Sequence, residues 1–274
     1  MTMRLSVRHE TLYVYSSPFF YSIQQLRLTP RNEPHQVAIE WNIAAPAKLE
    51  TSIDAFGNEV STFTLARSGG AIRVLASGVV EVHRLDDGRV AESTRAARVS
   101  PLVFSTPTTF TQADERIADF ASQALDRSHG VDRFLNLASK ICEDVRYTPG
   151  VTHVASTASQ ALALQRGVCQ DHAHVFLAVC RLNRVPCRYV SGYFYPGERP
   201  ELASHAWADV WLEDTRESSG GRWVSIDITH RCFASERYIR LAVGRDYESA
   251  APIRGVRAGG GQERMTVNVS VTPT

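Results

Sequence analysis

Residues 166–174 read RGVCQDHAH. An apolar run, VFLAVCRL, follows directly, and its pattern predicts a helix that starts at Cys169. A thiol at a helix N-terminus meets unpaired backbone N–H groups and the positive end of the helix dipole, and both favour thiolate over thiol. Downstream, SHAWADVWL reads as a strand with His205, Trp207, Asp209 and Trp211 on one face and the small or aliphatic residues on the other. RWVSIDITH reads as a second strand, with Trp223, Ser225 and Asp227 sharing a face. A carboxylate in so apolar a strand is costly unless it is partnered. If the two strands form a hairpin, Asp227 near the end of one comes close to His205 at the start of the other. The carboxylate then fixes the imidazole tautomer and steadies the imidazolium. Cys169, His205 and Asp227 together are the components of thiol-based acyl transfer: nucleophile, base and orienter.

The same residues pose a metal question. Cys169, His172, His174 and His205 could each supply a ligand. No CxxC or HxxxH pair occurs, and structural zinc favours such short-spaced pairs. On a helix His172 stands about 300° and His174 about 140° around the axis from Cys169, so the two rings face different sides. The expectation is no metal, with His172 on the helix surface, His174 in inter-strand hydrogen bonding, and Asp171 capping the helix or pairing with an arginine. No D-x-D-x-D-G calcium loop is present, and no cofactor is implied.

The elements that must position these residues fall into an α+β order. Residues 1–88 alternate as strands and predict an antiparallel β domain; in RLSVRHETLYVY, Leu5, Val7, His9 and Thr11 oppose Arg4, Ser6, Arg8 and Glu10. Residues 89–112 are a polar and proline-bearing connection. Residues 113–243 are the core. Two amphipathic helices come first, ADERIADFASQALDR with Asp114 and Glu115 in its first turn and VDRFLNLASKICEDV. A short helix in ASTASQALALQRG is expected to end at Gly167, and the helix from Cys169 and three strands follow. Residues 244–274 are a tail, with GVRAGGGQER expected to be mobile and MTVNVSVTP a candidate last strand.

Composition narrows the classes further. The 274 residues are 43% hydrophobic and 22% charged, with a formal net charge of +1, so no global field favours nucleic acid or a membrane surface. Five cysteines, an odd number, argue against a disulfide framework. The N-terminus lacks the apolar core of a signal peptide, and a cytosolic location is the expectation. The expected partner is a protein, peptide or small amide substrate; a homo-oligomer is compatible with the composition.

GVCQDHAH, SHAWADVWL and RWVSIDITH, in that order, resemble the cysteine, histidine and aspartate boxes of the transglutaminase-like superfamily. The upstream VRYTPGVT and ASQAL resemble its approach to the cysteine. HETLYVYSS, LRLTPR and DAFGNEV resemble the N-terminal β domain of its bacterial members. The resemblance implies a papain-like core with Cys169 as nucleophile, His205 as general base and then acid, and Asp227 as orienter. It also implies an oxyanion held by the Cys169 N–H and a second donor, for which Tyr147 is a candidate; Gln170, beside the cysteine, is a candidate to line the site. The aspartate box reads Asp-Ile-Thr-His where Asp-Pro-Thr is usual. The missing proline changes the strand end and leaves the carboxylate. The residues leave open whether the acyl group passes to water, as in a peptidase or amidase, or to an amine, as in a transamidase. A non-catalytic binding module with the same fold is the rival from another class.

Overall fold

The computed structural model describes residues 1–91, 99–125, 130–197, 203–213 and 220–274. The chain runs β1 (Thr2–Tyr15), β2 (Phe19–Leu26), β3 (Gln36–Ala44), β4 (Glu50–Ile53), β5 (Glu59–Ser68), β6 (Ala71–His83), β7 (Arg89–Val90), α1 (Glu115–Ala124), α2 (Asp132–Asp144), β8 (Arg146–Tyr147), α3 (Ala158–Leu164) and β9 (Arg166–Gly167). It continues with α4 (Cys169–Leu182), β10 (Cys187–Phe194), β11 (Ser204–Glu213), β12 (Gly221–Asp227), β13 (Cys232–Phe233), β14 (Tyr238–Gly244), α5 (Tyr247–Ala250), β15 (Ile253–Gly259) and β16 (Glu263–Pro273).

Two four-stranded antiparallel sheets, ordered β16-β1-β6-β3 and β15-β2-β5-β4, enclose one apolar core. Alternation dictates it: Leu5, Val7, Tyr13 and Tyr15 of β1 point inward with Ile72, Val74, Val80 and Val82 of β6. In residues 244–274 MTVNVSVTP forms the last strand, as expected, and a further strand, β15, precedes it. β16 pairs with β1 along eleven positions, from Leu5↔Pro273 to Tyr15↔Glu263, and β15 pairs with β2. The stretch expected to be mobile is therefore most of β15, the turn that carries the chain from one sheet to the other, and the start of β16.

The third sheet, ordered β13-β12-β11-β10-β14 with β7 added to β12, carries the helices on one face. α4 is buried on almost every side, with Asp171, His172, His174 and Arg181 among its buried residues. α1 is capped by Asp114, which accepts from the Ile117 N–H at 2.9 Å. α3 opens with a reciprocal Thr157–Gln160 box and ends at Gln165, which takes the left-handed conformation (φ 53°). Gly167 therefore does not end that helix. It pairs in parallel with Tyr147, and a Cβ there would lie 2.6 Å from the Asp171 Cβ. The glycine is needed so that the chain can pass close to the helix that follows.

The N-terminal sheets and the core sheet are joined by buried polar contacts. β14 is the last strand of its sheet, and its outer edge would otherwise leave backbone groups unpaired. Gln36 donates to the Arg240 carbonyl at 2.9 Å and accepts from the Arg240 N–H at 2.7 Å; Asn58 does the same with Val243, at 2.7 and 2.8 Å. Beneath them lies an ion cluster. Asp209 meets Arg188 at 2.7 Å and Arg240 at 2.6 Å, Arg240 meets Glu33 at 2.9 Å, and Glu33 meets Arg31 at 2.7 Å, all with buried side chains. Removing one member of such a cluster strands the others without compensation, at a cost of about 3–5 kcal/mol. Glu33→Ala is expected to lower stability by that amount, read from urea unfolding followed by tryptophan fluorescence.

Candidate active site

Cys169 is the first residue of α4, and its helix start is built by Asp171. The Asp171 carboxylate accepts from the Val168 N–H and from the Thr152 hydroxyl, each at 2.7 Å. It thus satisfies one open donor at the helix N-terminus and ties loop 148–157 across it. The expected capping role of Asp171 is borne out, with Thr152 rather than an arginine as its side-chain partner. Gln170 donates to the Val154 carbonyl at 3.2 Å and holds the same loop. Tyr147 is 42% exposed and lies edge-on to the His172 ring at 6.1 Å.

His205 lies in β11 and Asp227 ends β12, and these strands pair with Ala208 opposite Ile226. That register makes His205 and Asp227 diagonal neighbours on the face away from α4. His205 Nε2 donates to Asp227 Oδ2 at 2.7 Å, which leaves Nδ1 open, and Cys169 lies near enough to act on the imidazole. Trp207 stacks beside the imidazole at 6.0 Å and Phe194 lies 5.6 Å away, so aromatic rings wall it in. Burial works against a charged imidazole here, but the Asp227 carboxylate, with help from Cys169, outweighs it and raises the His205 pKa to about 10.

Asp227 is fully buried. Burial alone would raise its pKa, yet His205 and His230 hold it far below the usual carboxylate range. Its Oδ2 accepts three donors: His205 at 2.7 Å, His230 Nδ1 at 2.6 Å and the Tyr238 hydroxyl at 2.8 Å. The His230 backbone N–H donates to Oδ1 at 3.0 Å and closes the turn that the missing proline would have stiffened. His230 and Tyr238 escaped the sequence reading. His230 did carry a signal, since an aspartate side chain readily accepts backbone N–H groups two or three residues on. Tyr238 carried none, because β14 reaches Asp227 only through the packing of the sheet.

Two further histidines differ from expectation. His172 is buried rather than on the helix surface. Its Nε2 donates to the Val145 carbonyl at 2.8 Å, so its Nδ1 accepts from the Thr229 hydroxyl at 3.0 Å. The helix that carries Cys169 is thereby pinned to the turn that carries Asp227. His174 accepts from the Tyr247 N–H at 3.1 Å and stacks on Phe110 at 5.2 Å, so its bond is to α5 and not between strands. The four residues first considered for a metal therefore do not converge. Among the described residues, the group able to offer three ligands is His205, Asp227 and His230, whose ligand atoms lie within 4.8 Å of one another. Those atoms already share protons across the Asp227 oxygen, which explains their proximity without an ion. All five cysteines are free.

The fold agrees with that of known proteins. Residues 117–228 match the transglutaminase-like superfamily core, and residues 5–81 match the bacterial transglutaminase-like N-terminal region. An uncharacterized protein of Mycobacterium leprae is 34% identical, with 98% of each chain covered. One of Mycobacterium tuberculosis is 31% identical, covering 93% of this chain and 88% of that one. A solved structure from Cytophaga hutchinsonii, described as a "putative cysteine protease", superposes with a TM-score of 0.78 at 19% identity, covering 100% of this chain and 91% of that one. The chain belongs to the transglutaminase-like superfamily, and its fold is that of a thiol-dependent enzyme. Among the described residues, no helix is long and apolar enough to cross a membrane.

A raised folded-state pKa means that the imidazolium's contribution to stability is complete below the unfolded value of 6.5 and is lost as pH rises through about 10. An NMR titration of the His205 ring should place its midpoint near 10. In Asp227→Asn the midpoint should fall by several units; a midpoint unmoved by that substitution contradicts the assignment.

Proposed function

We infer that the protein catalyses thiol-dependent acyl transfer on amide or peptide bonds, with Cys169 as nucleophile, His205 as base and then acid, and Asp227 as orienter. The observation that carries this reading is one imidazole bonded to a buried carboxylate, with the thiol at a helix start acting on the same ring. The Cys169 sulfur adds to the amide carbonyl as its proton resides on His205 Nδ1. The tetrahedral oxyanion is met by the Cys169 backbone N–H at the positive end of α4, with Tyr147 as the candidate second donor. As the C–N bond breaks, His205 returns that proton to the leaving nitrogen and a thioester remains. Water, deprotonated by the same imidazole, adds to the thioester and releases the acid and the free thiol.

Hydrolysis is the outcome we favour over transamidation, because water as acceptor requires no second binding site for an amine. A non-catalytic binding module is disfavoured by the retention of all three side chains. The same three side chains use no metal, so a chelator is expected to leave turnover unchanged.

The test is incubation with peptide and amide libraries, with and without a primary amine, read by mass spectrometry. Cleavage, or exchange of ammonia for water on a glutamine, identifies hydrolysis; an amine adduct identifies transamidation. Cys169→Ala should abolish turnover with little loss of stability. Asp227→Asn should keep the fold and lower the rate by about 10,000-fold, as loss of the orienter does in comparable triads. Full turnover in either variant removes that residue from the scheme.

A further inference from the structure

The arginines buried in the interior each have a partner that accounts for them. Arg31, Arg188 and Arg240 pair with Glu33 or Asp209. Arg181 spends its guanidinium on the carbonyls of Phe104, Cys187 and Arg245 and on the Thr111 hydroxyl. Arg237 is different. It is only partly exposed, and among the described residues no carboxylate pairs with it. What separates it from Arg181 is that only its Nε has a protein acceptor, so its remaining N–H donors stay open to an incoming one.

Its position indicates where that acceptor would come from. Arg237 sits just before β14, one residue from the Tyr238 that bonds Asp227. Its Nε donates to the Tyr195 carbonyl at 2.8 Å, and its Cζ lies 5.0 Å from the Phe194 ring centroid and 5.4 Å from that of Tyr195. Phe194 is the same ring that stands 4.6 Å from His230 and 5.6 Å from His205. The guanidinium is thus one aromatic ring away from the reacting imidazole. Two flat rings and one hydrogen bond fix its plane, while its two Nη groups have no hydrogen-bonding partner among the described residues. Gly197 leaves room beside it: a Cβ there would approach Nη2 to 3.3 Å, and its φ of 72° suits glycine. A planar, pre-oriented fork of N–H donors is the arrangement that binds a carboxylate with two parallel hydrogen bonds.

We propose that Arg237 is a specificity-determining residue that recognises a carboxylate on the substrate, so that the site acts on acidic peptides or amides. This rests on the acyl-transfer reading above and adds to it the chemical class of the substrate. A charge-assisted bond to a substrate carboxylate corresponds to about a 10-fold or larger preference over the uncharged amide.

The test uses peptide substrates matched in every position except that Glu is replaced by Gln beside the scissile amide. The wild-type protein should show at least that preference in kcat/KM for the Glu member. Arg237→Gln should bring the ratio close to one, Arg237→Lys should keep part of it, and Arg237→Glu should turn the preference towards a Lys-bearing peptide. Circular dichroism establishes that each variant is folded, and the conservative lysine variant keeps the test open if the others are not. In parallel, the same peptides are titrated onto Cys169→Ala, with and without Arg237→Gln, by fluorescence anisotropy. Turnover with equal rates on Glu and Gln peptides overturns the proposal and leaves the reaction standing. Absence of turnover with Arg237-dependent binding of the Glu peptide overturns the reaction and supports the recognition. Absence of both overturns both.

Discussion

A carboxylate with no exposed surface cannot be solvated by water and must be held by donors that the protein supplies. Asp227 is in that position, and the site is organised around meeting its demand. One oxygen takes the imidazole of His205, the imidazole of His230 and the phenol of Tyr238; the other takes a backbone N–H. These donors come from β11, from the turn after β12 and from β14. The three strands and the turn are therefore locked in one arrangement, and the arrangement leaves His205 with a single nitrogen to offer the thiol. His172, which joins α4 to Thr229 in the same turn, brings the sulfur's own helix into that lock.

The N-terminal sheets serve this arrangement more than their separation in sequence implies. β14 presents Tyr238 to Asp227 and has its open edge closed by Gln36 two residues on and by Asn58 five residues on. Arg240 of the same strand reaches Asp209, which lies on the same face of β11 as His205, and passes the contact to Glu33. Tyr193, Ile239 and Leu241 of the core sheet are buried in the same apolar cluster as β1 and β6. The β region thus supplies hydrogen bonds, counter-charges and apolar cover to the strand that steadies the buried Asp227 carboxylate.

Much of this was legible in the sequence, and what was not has a physical cause. Period-two alternation exposed β1, β11 and β12 and the face each residue occupies, because alternation is local. The helix beginning at Cys169 was visible for the same reason. Alternation does not name a strand's partner, so the return of residues 253–273 to the first two sheets could not be read: Leu5 and Pro273 meet only when the whole chain has folded. Gly167 looked like a helix terminator because glycine commonly is one; its real constraint, the Asp171 side chain, lies across a turn in space. His172 looked like a surface residue by its angle on the helix, but α4 is covered on nearly all sides, which the helix's own period does not reveal. His230 and Tyr238 belong to Asp227 by tertiary contact, and of the two only His230 lay near enough in sequence to be suspected.

The account depends most directly on the coupling between the thiol at position 169 and the imidazole at 205. The measurement that bears on it is the rate of iodoacetamide alkylation of each cysteine as a function of pH, resolved by mass spectrometry, in the wild-type protein and in His205→Ala. Burial holds the Cys142 and Cys232 thiols above their usual range, so they serve as internal references. The account predicts that below pH 7 Cys169 reacts well ahead of both, and that this lead disappears in His205→Ala. A Cys169 that reacts no faster than Cys142 and Cys232, or whose rate is indifferent to the loss of the imidazole, contradicts it.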